Sequence, residues 1–372
     1  MVEFVFPGVF VEEVSLRAQP IEGVSTSTAG FIGEAERGAV LTPIKISSAV
    51  EFERNFGPSA VSTLGIAVRQ FFENGGRNAV IVRVEGHEGL ATTQAALSAL
   101  DRASFNLLCI PPHTSSQDLD PAELEAATSY CLKRRALFVA DAPAAWTARD
   151  AAKRAAALHL SARQNVALYF PRVLAKFGSK STPCAPCGIV AGIMSRTDSA
   201  RGVWKAPAGI EASIKGATGL SLSVTDAANG PLNEAGVNAL RQFPGKRLVV
   251  WGARTLAHDA EWKYVPVRRL ALFLQESILR GIHWAVLEPN EETTWRRVLQ
   301  QIETFLTTLW RQGAFQAQKP EQAFYVRCGL AATMTQNDID NGHMIVEVGF
   351  APLKPAEFVV FRIGQIMRRD PP

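Results

Sequence analysis

Cys184 and Cys187 stand in the segment Cys184-Ala-Pro-Cys187. That spacing suits a redox dithiol or half of a zinc site, because two thiolates so placed can reach one metal ion or each other. Zinc would need a second pair of ligands, and the remaining cysteines, Cys109, Cys131 and Cys328, are isolated. A thioredoxin-like pair sits where a strand turns into a helix, and Gly188-Ile-Val190 carries no clear helical signal. The five cysteines therefore read as structural thiols of a reducing cytosol, too odd and sparse a set for a disulfide framework.

His258, Asp259 and Glu261 lie close together, with His283 further on, and could do acid–base or metal chemistry. No H-E-x-x-H or comparable spacing joins them, so they read as a surface or interface cluster. Gly86-His-Glu-Gly89 reads as a turn. Phosphate loops of the G-x-x-x-x-G-K-[ST] and G-x-G-x-x-G kinds are absent, and Gly30-Phe-Ile-Gly33 is too short to cradle a pyrophosphate. There is no G-x-S-x-G nucleophile elbow. An enzyme on an open α/β sheet would carry polar groups at the strand carboxyl ends, and none can be assembled from the sequence. No catalytic, cofactor-binding or metal-binding residue is assigned, and no cofactor is expected.

The elements that would position such groups alternate. Short apolar runs at 25–33, 79–84, 106–110, 136–141 and 166–170 read as strands. Helical patterns at 64–73, 92–100, 121–133 and 149–161 separate them, the third opened by Asp120-Pro121 as N-cap and first-turn proline. All-apolar strands between helices argue for a mostly parallel sheet covered on both faces, an α/β body at 24–195. Lys176 to Pro231 is weakly periodic, and Ser195 to Ala217 reads as an irregular crossing.

A second, α+β body follows, the domain running over 196–350 with the crossing included. It holds a strand at 246–251, a helix at 267–282 and strands at 324–328 and 343–349, with a turn at 337–342. Its best helix starts from Asn290 as N-cap. Trp295, Val298, Leu299, Ile302, Phe305, Leu306, Leu309 and Trp310 then fall on one stripe, and Gly313 stops it. That aromatic stripe reads as core. Arg268, Arg269, Arg296, Arg297 and Arg311 punctuate the two long helices, either as an ordinary solvated face or as a basic surface for an acidic partner.

Composition sets limits. Of 372 residues, 47% are hydrophobic and 20% charged, enough apolar material for a sizeable core. A net charge of +4 is too mild to mark a nucleic-acid binder. No apolar run reaches the roughly 18 residues that span a bilayer, and the N-terminus carries no secretory signal, so no membrane insertion is expected.

Both ends are different in kind. Residues 1–14 are extended and apolar, with Phe4, Val5, Phe6, Val9, Phe10, Val11 and Val14 facing both ways. Phe358, Val359, Val360, Phe361 and Ile363 repeat that character near the C-terminus. Gln19-Pro-Ile-Glu-Gly23 and Ala351-Pro-Leu-Lys-Pro-Ala356 separate these ends from the body. A β-prone segment apolar on both faces cannot rest in water as an edge. Two such arms suggest strands donated to neighbouring copies, with 1–23 as N-terminal arm and linker and 351–372 as C-terminal linker and arm.

Several segments carry a family resemblance. They are Pro7-Gly-Val-Phe-Val-Glu-Glu-Val14, Thr26-Ser-Thr-Ala-Gly-Phe-Ile-Gly33, Phe71-Phe-Glu-Asn-Gly-Gly76 leading into Val82-Arg-Val84, and Arg201-Gly-Val-Trp-Lys-Ala-Pro-Ala208. The C-terminal block adds Trp251-Gly-Ala-Arg-Thr255, Trp262-Lys-Tyr-Val-Pro-Val-Arg-Arg269, Glu288-Pro-Asn-Glu291, Phe324-Tyr-Val-Arg327 and Val348-Gly-Phe-Ala-Pro-Leu-Lys-Pro-Ala-Glu-Phe358. The chain resembles the contractile tail sheath proteins of phages and of phage-tail-like extracellular injection particles.

The resemblance implies a two-domain subunit, with an outer α/β domain, an inner tube-facing α+β domain and arms exchanged with two different neighbours. It implies a homo-oligomeric helical or stacked-ring assembly around an inner tail tube, bounded by baseplate and terminal cap proteins. The subunit would be made in the bacterial cytoplasm and carried in a phage tail or a released particle. Contraction would drive the tube through a target envelope without a nucleotide. Arg296, Arg297 and Arg311 are the candidate tube contacts. A baseplate or cap component of the same particle is the alternative, and an α/β enzyme with an unrecognised site a further one.

Overall fold

The computed structural model describes residues 20–357, apart from 87–88, 115–116, 178–179, 244 and 246. The chain divides into two compact units. Among the described residues, the larger unit comprises 24–276 with 352–357, and the smaller comprises 20–23 with 277–351.

The larger unit is built on one eight-stranded sheet. In chain order it contributes β1 (Ala29–Glu34), β2 (Ile44–Ile46), α1 (Ala49–Phe56), α2 (Thr63–Glu73), β3 (Ala79–Val84), α3 (Leu90–Ala99), β4 (Leu107–Cys109) and α4 (Pro121–Lys133). Next come β5 (Leu137–Asp141), α5 (Ala151–Ala156), β6 (Val166–Phe170), β7 (Val173–Phe177), β8 (Lys180–Cys184), α6 (Cys187–Arg201) and β9 (Gly219–Leu220). Then follow α7 (Asp226–Glu234), β10 (Val237–Gln242), β11 (Leu248–Val250) and α8 (Val265–Gly281), whose last turn belongs to the smaller unit.

The sheet order is β11-β10-β6-β5-β4-β1-β3-β2. From β10 to β3 the strands run parallel, and antiparallel β11 and β2 close the edges. Strand side chains alternate between two cores, as a two-residue period requires. Phe31, Ile81, Leu107, Leu137 and Tyr169 enter one core with α1, α2 and α6. Val80, Leu108, Phe138, Leu168 and Val237 enter the other with α3, α4, α5 and α7. Burial on both faces explains why these strands are continuous apolar runs.

This sheet does not stop at residue 195, where the sequence placed the domain boundary. β10 pairs with β6 and β11 with β10, so residues 196–276 belong to the larger unit. β10 escaped notice because it carries Asn238 and Arg241, both buried. The Asn238 amide donates to the carbonyls of Leu168 and Arg254, at 3.2 and 2.7 Å, and its oxygen accepts the Arg254 N–H at 2.7 Å. A polar residue that ties three stretches of backbone looks like a loop residue in sequence.

α6 was missed for the opposite reason. Every residue from Cys187 to Ser195 is buried, so no amphipathic period exists to be read. It packs on α2 through Gly188 and Gly192, where an added Cβ would lie 2.0 Å from the Ala67 carbonyl oxygen and 2.4 Å from that of Phe71. β2, α1 and the antiparallel set β8-β7-β9 were also not anticipated. β1 begins at Ala29, four residues after the expected start, and the helix expected over 149–161 is confined to α5. Asp120 caps α4 as expected, in a full capping box with Glu123.

The smaller unit contains α9 (Glu292–Arg311), α10 (Pro320–Ala323), β12 (Phe324–Cys328), α11 (Gln336–Asp340) and β13 (Val346–Phe350). β12 and β13 form a two-stranded antiparallel ribbon in register Phe324↔Phe350 to Cys328↔Val346. Val298, Ile302, Phe305, Leu306 and Leu309 of α9 are buried, as the stripe foretold. The N-cap position is taken by Glu291, and Asn290 instead accepts the Trp295 indole N–H at 2.8 Å.

Candidate assembly interface and the strand carboxyl ends

Cys184 ends β8 and Cys187 opens α6, so the pair does sit at a strand-to-helix turn. The environment is the reverse of a redox site. Burial pushes the Cys187 thiol well above its ordinary value and that of Cys184 up to about 11, away from the thiolate that exchange chemistry needs. Cys187 serves through its backbone, donating its N–H to Asp141 Oδ1 at 2.8 Å.

The carboxyl ends of the parallel strands hold a polar group that sequence reading did not assemble. Arg172, beyond β6, is buried and pairs with Asp118. The other Asp118 oxygen accepts the Ala144 N–H at 2.9 Å. Asp141, at the end of β5, has its carboxyl pushed up to about 6 by burial, against the pull of Arg172. Asp141 Oδ2 and Arg172 Nε are buried without a hydrogen-bond partner. The cleft they share with Ile110, Leu124 and Phe138 leaves about 10 Å³ for a water centre, room for one water and not for a substrate. Nearby, buried Glu123 accepts from Thr93 Oγ1 at 2.6 Å and lies 3.2 Å from His113 Nε2. Their separation along the chain, from Thr93 to Arg172, hid this cluster.

The histidine cluster resolves into a turn. Asp259 Oδ1 accepts the N–H groups of Glu261 and Trp262 at 3.0 and 2.6 Å, and His258 Nε2 lies 3.4 Å from Arg163. His283 lies in a short 3-10 turn of the smaller unit. Among the described residues, no group of His, Cys, Asp and Glu is placed to hold a metal ion.

The arginines separate into two kinds. Arg268 and Arg269 are buried, so they form no basic surface. Arg268 donates to Asn165 Oδ1 at 2.8 Å and stacks on Trp262. Arg269 pairs with Asp198 through both nitrogens. In the smaller unit, Arg296 and Arg311 are exposed on α9 along with Glu292 and Glu303. Arg296 Nη2 lies 2.7 Å from Glu292, one turn earlier. Arg297 turns aside and covers the Trp284 ring at 4.2 Å. The exposed face of α9 is therefore of mixed charge.

Where the chain leaves the larger unit toward its two ends, at residues 24–28 and 352–357, side chains of that unit hold it. Thr26 Oγ1 donates to Asp198 Oδ2 at 2.6 Å, Arg269 donates to the Thr26 carbonyl at 2.9 Å, and the Thr28 N–H reaches Asn106 Oδ1 at 3.2 Å. At the other end, Arg254 Nε donates to Glu357 Oε1 at 2.7 Å, and Arg254 Nη2 pairs with Glu357 Oε2. Tyr264 adds a hydroxyl at 3.3 Å. The arm residues themselves, Phe4, Val5, Phe6, Val9, Phe10, Val11, Val14, Phe358, Val359, Val360, Phe361 and Ile363, lie outside the described residues. Within the smaller unit, the β12–β13 ribbon pairs with no further strand among the described residues.

Known proteins place this arrangement. Residues 87–256 match the phage tail sheath protein central domain, and residues 257–366 match the phage tail sheath C-terminal domain. A solved structure of the anti-feeding prophage helical sheath in its contracted state is similar over 98% of this chain and 100% of its own, at 31% identity and a TM-score of 0.80.

The chain belongs to the phage tail sheath family.

Other sheath proteins agree. The PVC sheath complex, from an extracellular contractile injection system in the contracted state, is 30% identical with a TM-score of 0.79, covering 98% of this chain and 99% of its own. A prophage major tail sheath protein of Pseudomonas aeruginosa strain UCBPP-PA14 is 28% identical, over 83% of this chain and 85% of its own. The two sheath family matches meet at residues 256 and 257, close to Arg254 and the bridge it makes with Tyr264. They cover the whole stretch from β4 to β13, including residues 195–217, which sequence reading left as an interdomain crossing.

Proposed function

We propose that this sheath protein is the repeating subunit of a contractile sheath that polymerises around an inner tail tube and contracts to drive it through a target envelope. The observation that carries the reading is the incomplete ribbon β12–β13. An isolated two-stranded ribbon is marginal in water, and open edges invite pairing. The chain also carries two apolar, β-prone segments, 1–14 and 358–363, whose composition suits pairing with an edge. Donated to neighbouring copies, they complete such edges by backbone hydrogen bonds, with alternate side chains setting register. Because each contact joins different patches, the assembly grows as a helix or as stacked rings and does not close on itself.

In this reading the partners are other copies, the inner tube, a baseplate and a terminal cap. The subunit is made in the bacterial cytoplasm and works in a phage tail or a released particle. Its role is mechanical, and no cofactor takes part. The Asp118–Asp141–Arg172 cleft has room for one water, which disfavours the enzyme alternative. Arg296 and Arg311 remain the tube-facing candidates, with Arg297 held on Trp284.

Electron microscopy of the purified protein, alone and with a tube protein, tests this. Full-length chain is expected to form cylinders. Deleting residues 1–14 or 358–372 is expected to leave folded, soluble subunits. Long tubes from either truncate would overturn strand donation. A copy number of a few per particle would favour the baseplate or cap alternative.

A further inference from the structure

Two arginine–carboxylate pairs hold residues 24–28 and 352–357, where the chain leaves the larger unit toward its two ends, and both arginines come from one stretch. Residues 253–255 and 263–265 are laced together: Val265 N–H donates to the Ala253 carbonyl at 2.9 Å, Thr255 N–H to the Lys263 carbonyl at 2.9 Å, and Arg254 bridges Tyr264. α8 leaves this lacing at Val265. Arg254 lies in the first half of this lacing and Arg269 in the second turn of α8.

We infer that this stretch is a common anchor that fixes where both terminal segments leave the larger unit, through Arg269–Asp198 at residues 24–28 and Arg254–Glu357 at residues 352–357. The inference rests on the sheath reading for its purpose and on the structure for its geometry. Arg269 and Asp198 are 3% and 5% exposed, and Asp198 also takes the Thr26 hydroxyl. Arg254 and Glu357 are 9% and 19% exposed. Beyond its pair with Glu357, Arg254 Nη1 donates to the Asn233 carbonyl at 2.8 Å, and its backbone is tied to Asn238, so the guanidinium has a partner besides Glu357.

The design has a mechanical logic. A donated strand transmits load only if its base cannot slide on its own subunit. Two-point guanidinium–carboxylate pairs fix direction as well as position. Both anchors end on one laced stretch, so load that reaches residues 24–28 or 352–357 enters the larger unit at the same place. Glu357 is then a positioning residue for strand donation. A purely structural pair would act on folding stability alone.

The test uses full-length protein with a nitroxide label on Ala356→Cys; the native cysteines are buried and remain unlabelled. In otherwise unaltered protein the label should be immobilised. Adding Glu357→Ala should free it, and Glu357→Asp, which keeps the charge, should restrain it again. Melting temperature should fall, because Arg254 is left buried with one partner fewer, and the concentration needed for tube assembly should also rise, by about tenfold. Thr26→Val should raise that concentration by a smaller factor. An immobile label in Glu357→Ala, or assembly at the unaltered concentration, overturns the anchor. A fall in melting temperature with unaltered assembly assigns the pair to folding alone, and also overturns it. If unsubstituted protein forms no tubes, the sheath reading fails, and the spin-label spectra still decide the anchor.

Discussion

The two sheets differ in how complete they are. In the larger unit, the strands from β10 to β3 each pair on both sides and bury both faces, and antiparallel strands close the two edges. In the smaller unit, β12 and β13 pair only with each other among the described residues, and their side chains are mostly half-exposed. The first sheet ends in two short antiparallel strands of three residues each. The second has open edges that the rest of its described chain does not fill. If the ribbon receives donated strands, stability and assembly are separable in this subunit, and substitutions should sort accordingly.

The largest effect should fall on the larger unit. Gly188→Val places a side chain where even a Cβ would meet the Ala67 carbonyl oxygen at 2.0 Å. α6 must then move off α2, opening a core that includes Phe71, Ile189 and Ile193. Overpacking against backbone costs on the order of 3 kcal/mol or more. Loss of the cooperative melting transition, with no soluble folded subunit, is the expected outcome. A normally melting variant would show that the helix contact can relax.

On the incomplete side the opposite pattern is expected. Val326→Pro removes one backbone donor from β12 and restricts its pairing. Circular dichroism of the larger unit's sheet should be unchanged, while tube formation is lost. If tubes persist, the ribbon is not a receiving edge.

A smaller, pH-dependent effect separates the two further. The buried Asp141 carboxyl is pushed up to about 6. The folded chain therefore holds that proton more tightly than the unfolded chain does. The resulting stability is present at pH below the ordinary carboxylate value and is lost as pH rises through about 6, by roughly 2–3 kcal/mol. Asn at 141 keeps the oxygen that accepts the Cys187 N–H and cannot ionise. The melting temperature of Asp141→Asn minus that of the unaltered protein should increase between pH 4 and pH 7. A flat difference would show that Arg172 compensates the charge fully.

These contrasts also explain what the sequence could reveal. The parallel strands were legible because their double burial makes apolar runs such as Ala79–Val84 and Val166–Phe170. α9 was legible because only one face is buried. α6 has no exposed face over its first half, and β10 hides buried Asn238 and Arg241, so both were lost and the domain boundary was misplaced. Of the assembly features, the sticky ends stood out by composition. Asp198 and Glu357 gave no signal, because one carboxylate in a sequence looks like any other until its arginine, Arg269 or Arg254, arrives from a distant segment.

The smallest effect should come from α9. Arg296 and Glu292 are 73% and 71% exposed, and a surface i,i+4 pair of this kind contributes about 0.3–0.5 kcal/mol. Arg296→Glu should leave the melting temperature nearly unchanged. Arg297→Glu should lower it slightly more, because the guanidinium over Trp284 is lost, a contact worth about 0.5–1 kcal/mol. If Arg296 and Arg311 face an acidic tube, reversing Arg296 and Arg311 together should weaken co-assembly with the tube most at low salt, where screening is least. Assembly of the sheath alone should be untouched, since the open ribbon edges lie on β12 and β13. Co-assembly insensitive to both reversals and to salt would move the tube contact off this mixed-charge face, leaving strand donation through the ribbon unaffected.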